Sequence, residues 1–309
     1  MQEKNATQRS ILGFLDKKKK DLSYFDIKRN QNRNAKSIVD VPHPFLKWAG
    51  GKRQLIPQMD QYFPKDFNKY IEPFVGGGAI FFYLLPEYAI LIDINQDLIN
   101  AYNVIKNYVS QIIESLKKHK NEKDYYYRIR AFDRNPQEFI NWSNIEKASR
   151  IIYMNRCCFN GLYRVNSKGE FNVPFGKYKN PKFCDKENLN AVNRALKNIN
   201  IIHDSFQKCL DFAQEGDFIY LDPPYVPISD SANFTSYTKD NFNKEDQIEL
   251  YNVYKVLDKR GCKVILNNSY SDFIIDLYKD FRIKILKAKR AINSDASKRG
   301  AVKEVLILN

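Results

Sequence analysis

The sequence predicts an α/β protein: a mostly parallel sheet with an antiparallel edge strand, interrupted by an inserted helical and β-hairpin module. Three observations carry this expectation. β-Branched and aromatic runs alternate with helix-like stretches over residues 41–105 and again over 199–309, the pattern of a parallel sheet covered on both faces. Glycine clusters and prolines fall where apolar runs end, as they do at the ligand-binding ends of open α/β sheets. Residues 106–198 lose the alternation and read as a separate, basic insert.

The elements follow in order. "KYIEPFVGGG" reads as a strand entering a glycine turn, "AIFFYLL" as a helix, "AILIDIN" as a second strand and "QDLINAYNVIKN" as its helix. The insert begins helical and tyrosine-rich ("EKDYYYRIRAFDR", "IEKASRIIYMNRCC"). It continues with "FNGLYRVNSKGEFNVPFGKYKNPKF", where "NSKG" is a hairpin turn between "LYRV" and "EFNV". Alternation resumes with "INIIH", a helix, "DFIYL", a loop, and the helix "KEDQIELYNVYKVLDKR". "CKVILNN" and a further helix lead to "FRIKILKAKR" and "KEVLILN", two closing strands across a long loop that are expected to supply the antiparallel edge. Residues 1–40 carry ten Lys/Arg against five Asp/Glu and no strand-like run, and are expected to be a basic, largely flexible extension.

Bulk composition narrows the function. With 43% hydrophobic residues, 21 Phe and 20 Tyr, the chain can bury a large core. Fifty Lys/Arg against 36 Asp/Glu leave a net charge of +14, which favours a polyanionic partner, nucleic acid first. Five cysteines without CxxC spacing and three histidines argue against a zinc site. An odd cysteine count and no recognisable signal peptide suit a reducing, intracellular setting, and no apolar run approaches the ~20 residues that span a bilayer.

Two glycine clusters and an acid suggest a nucleoside-containing cofactor. The turn holding Phe74, Gly76 and Gly78 follows a strand and opens a helix, where glycines allow close backbone approach and free N–H groups face a ligand. Asp93 ends the next strand, where a carboxylate would bind a ribose diol; it could equally cap the following helix. "KWAGGKRQL" lacks the spacing of a phosphate-binding P-loop, and Trp48 and Lys52 instead offer a stacking face and a cation.

"FIYLDPPYVP" suggests the chemistry. An exocyclic amine on a base is a weak nucleophile because its lone pair is delocalised into the ring. Acceptors that hold both amino protons return electron density to nitrogen. The Asp222 carboxylate supplies one acceptor and the Pro223 carbonyl another. Pro223 and Pro224 bring no competing N–H, and their fixed φ holds that carbonyl in place. Tyr225 presents a ring on which an extruded base can stack, worth roughly 1–3 kcal/mol.

In the order "KWAGGK", "FVGGG", basic insert, "DPPY", residues 43–309 resemble the α-group of N6-adenine DNA methyltransferases, the Dam-like enzymes and related methylases acting on GATC. The resemblance implies a Rossmann-like methyltransferase sheet, S-adenosylmethionine as cofactor, double-stranded DNA as substrate, base flipping and no metal. It assigns Trp48, Lys52 and Asp93 to the cofactor, with Asp204 and Ser205 of "HDSF" near its adenine and Asp222 close to both cofactor and target amine. In the insert it sets Phe159 and Asn160 at the opened base pair, Leu162, Arg164 and Asn166 on flanking DNA, and Pro174 against a thymine methyl. An arginine carried on a hairpin in the major groove can pair bidentately with guanine, at roughly 1–3 kcal/mol of discrimination. The resemblance further implies an intracellular, DNA-associated enzyme. Two rival expectations are amino-methylation of cytosine N4 or of RNA adenine, and a catalytically silent DNA-binding protein. The stretch 226–240, rich in Ser, Thr and Asn, is expected to order on DNA. In the extension, Gln8, Ile11, Phe14 and Leu15 have the spacing of a sliding-clamp-binding peptide.

Overall fold

Alternation along the strands decides how the sheet is covered. In the computed structural model, which describes residues 41–225, 242–289 and 301–309, successive strand residues enter two different cores. Tyr70, Leu91, Phe218, Tyr220, Ile265 and Leu306 face one cluster, while Ile71, Ile90, Ile92, Ile219, Leu221, Val264, Leu266 and Ile307 face the other. Both faces are therefore buried, as parallel sheets require. Gln8, Ile11, Phe14 and Leu15 and the stretch 226–240 lie outside the described residues.

Seven strands make one sheet among those residues: β1 Tyr70–Glu72, β2 Ala89–Asp93, β3 Ile199–His203, β4 Phe218–Leu221, β5 Lys263–Ser269, β6 Arg282–Lys289 and β7 Ala301–Leu308, in the order β3-β2-β1-β4-β5-β7-β6. Strands β1 to β5 pair in parallel. β7 runs antiparallel to both β5 and β6, so the reversed strand is one position inside the sheet and β6 is the edge. The closing pair β6–β7 is the antiparallel edge that the sequence predicts, with β6 outermost. The strands' composition explains the choice: Val305–Leu308 is a continuous apolar run fit for burial, whereas β6 carries Arg282, Lys284 and Lys287, charges that suit an edge. Gln58 covers part of that edge, its Nε2 donating to the Lys287 carbonyl (2.9 Å) and its Oε1 accepting from the Lys287 N–H (3.1 Å).

Seven helices matter for the site. α1 (Ala79–Leu84) follows β1, and α2 (Gln96–Lys117) follows β2. α3 (Lys123–Ala131), α4 (Asn144–Cys157) and α5 (Lys186–Ala195) belong to the middle of the chain, and α6 (Lys244–Lys259) and α7 (Asp272–Leu277) cover the second face. α2 starts where Asn95 Oδ1 accepts from Leu98 N (2.9 Å) and buries Leu98, Ile99, Ala101, Tyr102, Val104 and Ile105 at helical spacing. It kinks at Tyr108, and Asn193 Nδ2 from α5 satisfies the Ile105 and Lys106 carbonyls next to the kink at 2.9 and 2.8 Å. Position 106 lies in this helix just before the kink, and the helix's apolar face shares one core with α4 and with Phe171 and Val173 of the hairpin. The change of composition at 106 thus falls beside the kink at Tyr108.

Two polar side chains of α4 join the insert to the segment before β1. Asn155, wholly buried, accepts from Lys47 N (2.8 Å) and donates to the carbonyls of Lys47 (2.8 Å) and Gly161 (3.0 Å). Arg156 donates to the carbonyls of Pro44 and Phe45. Breaking either set would strand buried polar groups at about 1–3 kcal/mol each. The hairpin forms around Asn166–Gly169 as the sequence predicts: Val165 bridges Phe171, Cys158 bridges Phe175, and Gly169 takes φ 82°.

Candidate active site

The carboxyl ends of β1, β4 and β5 converge on the start of β7. Leu221 is the last buried apolar residue of β4, and alternation turns the next side chain, Asp222, to the face of Tyr220. Asp222 Oδ1 lies 2.7 Å from Lys52 Nζ, while no described residue donates to Oδ2. Lys52 is itself buried; its ammonium also donates to the Gly50 carbonyl (2.8 Å) and sits 4.9 Å from the Tyr225 ring centroid. Burial pushes the Asp222 carboxyl up to about 6, even though Lys52 pulls it down; Glu304 adds to the rise.

The proline carbonyls divide into two states. That of Pro224 accepts from Gln247 Nε2 (3.1 Å), whose Oε1 accepts in turn from Asn268 Nδ2 (2.9 Å). That of Pro223 takes no hydrogen bond from a described residue. Tyr225 is anchored by its hydroxyl, which donates to Glu304 Oε2 (2.6 Å) and accepts from Asn267 Nδ2 (2.8 Å). Burial, and then the negative charges of Asp222 and Glu304, hold that hydroxyl well above an ordinary tyrosine, so it stays protonated.

The glycine turn lies beside this cluster. Asp93 Oδ2 accepts from Gly76 N and Oδ1 from Asn95 N, both at 2.9 Å, while Asn95 rather than Asp93 caps α2. Asp93 therefore pins the turn to the end of β2. Gly78 takes φ 68°, and a Cβ there would come within 2.6 Å of Tyr102 Oη, which donates to the Gly76 carbonyl (3.1 Å). Glu72, the last residue of β1, is buried with Oε2 unpartnered, and burial raises its carboxyl well above the usual range. Phe74 stacks on Phe206 (5.3 Å between centroids, 24°) and meets Phe242 edge-on (5.8 Å). Asp204 N donates to the Asp93 carbonyl (3.3 Å), which brings Asp204 and Ser205 beside Asp93 and the aromatic trio.

Two cofactor candidates have partners the sequence did not suggest. Lys52 is paired with Asp222 rather than presented as a free cation. Trp48 stacks on Tyr163 of the hairpin (5.0 Å, 24°), and a Cβ at Gly76 would lie 2.8 Å from its Cδ1, so its ring ties the glycine turn to the insert.

At the hairpin, Phe159, Asn160 and Pro174 are exposed, Phe159 N donating to the Pro174 carbonyl (2.8 Å) and Asn160 holding φ 57°. Leu162 is half-buried against the core. Arg164 Nε donates to Asn172 Oδ1 (2.7 Å), and its terminal nitrogens take no partner among the described residues. Asn166 builds the turn. Its Nδ2 donates to Glu170 Oε2 (2.7 Å) and its Oδ1 accepts from Lys168 N and Glu170 N (both 3.0 Å), which leaves one amide hydrogen without a partner among the described residues.

Glu304, Asn267, Gln247, Asn268, Glu72 and Tyr163 escaped sequence reasoning. Glu72 had a local signal, a carboxylate ending a buried strand before a glycine turn. Glu304 had a weaker one, an acid opening the apolar run of β7. The others are polar or aromatic residues inside ordinary strands, helices or loops.

Comparison with known proteins fits this geometry. The family model described as D12 class N6 adenine-specific DNA methyltransferase matches residues 48–292. The type II methyltransferase M1.LlaDCHI of Lactococcus lactis subsp. cremoris is 46% identical over 270 residues, covering 86% of this chain and 95% of the relative. The type II methyltransferase M.MjaIII of Methanocaldococcus jannaschii is 45% identical over 287 residues, covering 86% and 98%. A DNA adenine methylase of Haemophilus influenzae is 38% identical over 272 residues, covering 86% and 93%.

Proposed function

The chain belongs to the D12 class of N6 adenine-specific DNA methyltransferases, and from that premise we propose that Asp222, Pro223, Pro224 and Tyr225 hold a flipped adenine for methylation. The family acts on DNA with S-adenosylmethionine, so the readings as a cytosine, RNA or catalytically silent protein give way to adenine N6 transfer.

The observation that carries the site reading is the pair of acceptors left on the DPPY loop. Asp222 Oδ1 and the Pro224 carbonyl are occupied by Lys52 and Gln247, whereas Asp222 Oδ2 and the Pro223 carbonyl are not taken by described residues. An adenine amine donating to both would have its lone pair drawn out of the ring system and directed away from the two acceptors. Tyr225, its hydroxyl tethered and one face under the Lys52 ammonium, offers the other face to the base. Asp222 is the better acceptor when ionised, which it is above about pH 6.

The residues also fit the cofactor. Glu72, buried with its Oε2 unpartnered at the head of the glycine turn, suits a ligand bearing positive charge, and the wall of Phe74, Phe206 and Phe242 suits a flat base. When bound, S-adenosylmethionine supplies an electrophilic methyl group on a sulfonium. Phe74, Gly76, Gly78, Asp93, Asp204 and Ser205 form its binding side in this reading, with Trp48 and Lys52 supporting the turn and Asp222.

Residues 106–198 act as the DNA-reading insert in this scheme, with Phe159, Asn160, Leu162, Arg164, Asn166 and Pro174 toward the duplex and GATC as the site read. The GATC assignment rests on the hairpin's resemblance alone. The setting is DNA inside the cell, and no helix among the described residues is long and apolar enough to cross a membrane. A sliding-clamp contact through Gln8, Ile11, Phe14 and Leu15 rests on their spacing, and a pull-down with and without Phe14→Ala tests it. For the main reading, labelled S-adenosylmethionine is incubated with plasmid DNA and the methylated positions are mapped. Adenine N6 within GATC is expected; adenine in another sequence would overturn the site assignment. Asp222→Ala should abolish transfer and leave DNA affinity largely intact, and a matched loss of DNA binding would contradict the separation of roles.

A further inference from the structure

Glu304 is the fourth residue of β7, and the four that follow it, Val305 to Leu308, are buried. Because β7 runs against β5, its first half lies at the carboxyl end of the sheet, with Glu304 in register with Ser269, the last residue of β5. The reversed strand thus delivers a carboxylate to the floor of the DPPY loop.

There it makes three contacts. Glu304 Oε2 accepts from Tyr225 Oη at 2.6 Å and from Asn267 Nδ2 at 2.7 Å, and lies 4.0 Å from Lys52 Nζ. Asn267 Nδ2 also reaches Tyr225 Oη at 2.8 Å, closing a three-membered network among β5, β7 and the loop. Lys52 stands between two carboxylates, 2.7 Å from Asp222 and 4.0 Å from Glu304. A charged acceptor makes the stronger kind of hydrogen bond and fixes its donor more closely than a neutral one.

We propose that Glu304 is a positioning residue for methyl transfer. With Asn267 it fixes the plane of the Tyr225 ring, and with Asp222 it shares the Lys52 ammonium, so that stacking face and carboxylate acceptor are held in one arrangement. Glu304 itself acts through Tyr225 and Lys52, not on the base. The inference rests on the reading of Asp222 to Tyr225 as the adenine-holding loop.

The test is a double-mutant cycle on the full chain with Glu304→Gln and Tyr225→Phe, measuring kcat and the KM values for duplex DNA and S-adenosylmethionine. Glu304→Gln should lower kcat about tenfold or more, the scale of one lost charge-assisted hydrogen bond, with both KM values within about twofold. The double variant should be no slower than the slower single one, because both remove the same tether. A duplex carrying 2-aminopurine at the target position adds a spectroscopic signature: its stacking quench on binding should weaken in both single variants alike. Should Glu304→Gln fail to accumulate as folded protein, Asn267→Ser replaces it in the cycle with the same expectation. Losses that multiply, or a Glu304→Gln kcat within twofold of the parent, overturn the proposal. Tyr225→Ala with undiminished transfer would instead overturn the reading of the loop itself, and the Glu304 role with it.

Discussion

Asp222 should cost the fold stability, and removing its charge should restore it. In the folded protein its carboxyl is pushed to about 6 from an ordinary 3.8 because burial outweighs the nearby Lys52. The folded state therefore holds the proton more tightly than the unfolded chain. Between about pH 4 and pH 6 the stability of the parent falls as pH rises, and above that window the full penalty is present. The gap corresponds to about 3 kcal/mol at pH 8 and about half as much at pH 5. Asn is a close stand-in for the protonated acid, so Asp222→Asn should be stabilised by about that amount at pH 8, with the advantage shrinking toward pH 4. Urea-unfolding midpoints of both proteins at pH 8, 6 and 5 measure it, with equal m-values showing that the comparison is one of stability. Methyl transfer in the same preparations should fall by orders of magnitude. A variant less stable than the parent at pH 8, or an advantage that does not vary with pH, would refute the reasoning. The first would mean that the Lys52 pair stabilises the fold; the second would mean that the carboxyl titrates normally.

Three further outcomes follow from the same geometry. Gly78→Ala places a methyl group at φ 68°, within 2.6 Å of Tyr102 Oη. It should destabilise the turn by about 1–3 kcal/mol and weaken S-adenosylmethionine binding by calorimetry, and unchanged affinity would argue against the turn as the cofactor side. Asn193→Ala removes both bonds at the α2 kink and should lower stability by about 1–3 kcal/mol in denaturant titration while leaving kcat per folded molecule unchanged. Arg164→Ala should relax the choice of one flanking base by roughly 1–3 kcal/mol in competition between duplexes; a uniform loss with a shallower salt dependence would make it a phosphate contact instead.

The sequence disclosed those parts of the fold and site whose cause is local. Strand alternation, the glycine turn, the Asn166–Gly169 hairpin and the proline stop after β4 each arise from a few consecutive residues, and each is where the residues predict it. What escaped is made of pairs distant in the chain. Lys52 reads as a free cation because nothing near it reveals Asp222, and Trp48 reads as a ligand platform because nothing near it reveals Tyr163. The insert boundary that composition predicts at 106 falls inside α2, beside its kink at Tyr108.

The largest omissions share one cause. That the last two strands form the antiparallel edge does not say whether β7 adjoins β5. Placing it between β5 and β6 brings Glu304 against Tyr225 and Asn267. The neighbour of β5 and the place of Glu304 are thus one question of strand order, asked once of the fold and once of the site. A buried polar residue can be recognised as functional from sequence only as far as the neighbour of its strand is known, and in this sheet that neighbour is set by the choice between the apolar Val305–Leu308 and the lysine-bearing β6. The hydrophobic pattern that buries β7 also brings Glu304 to the active site.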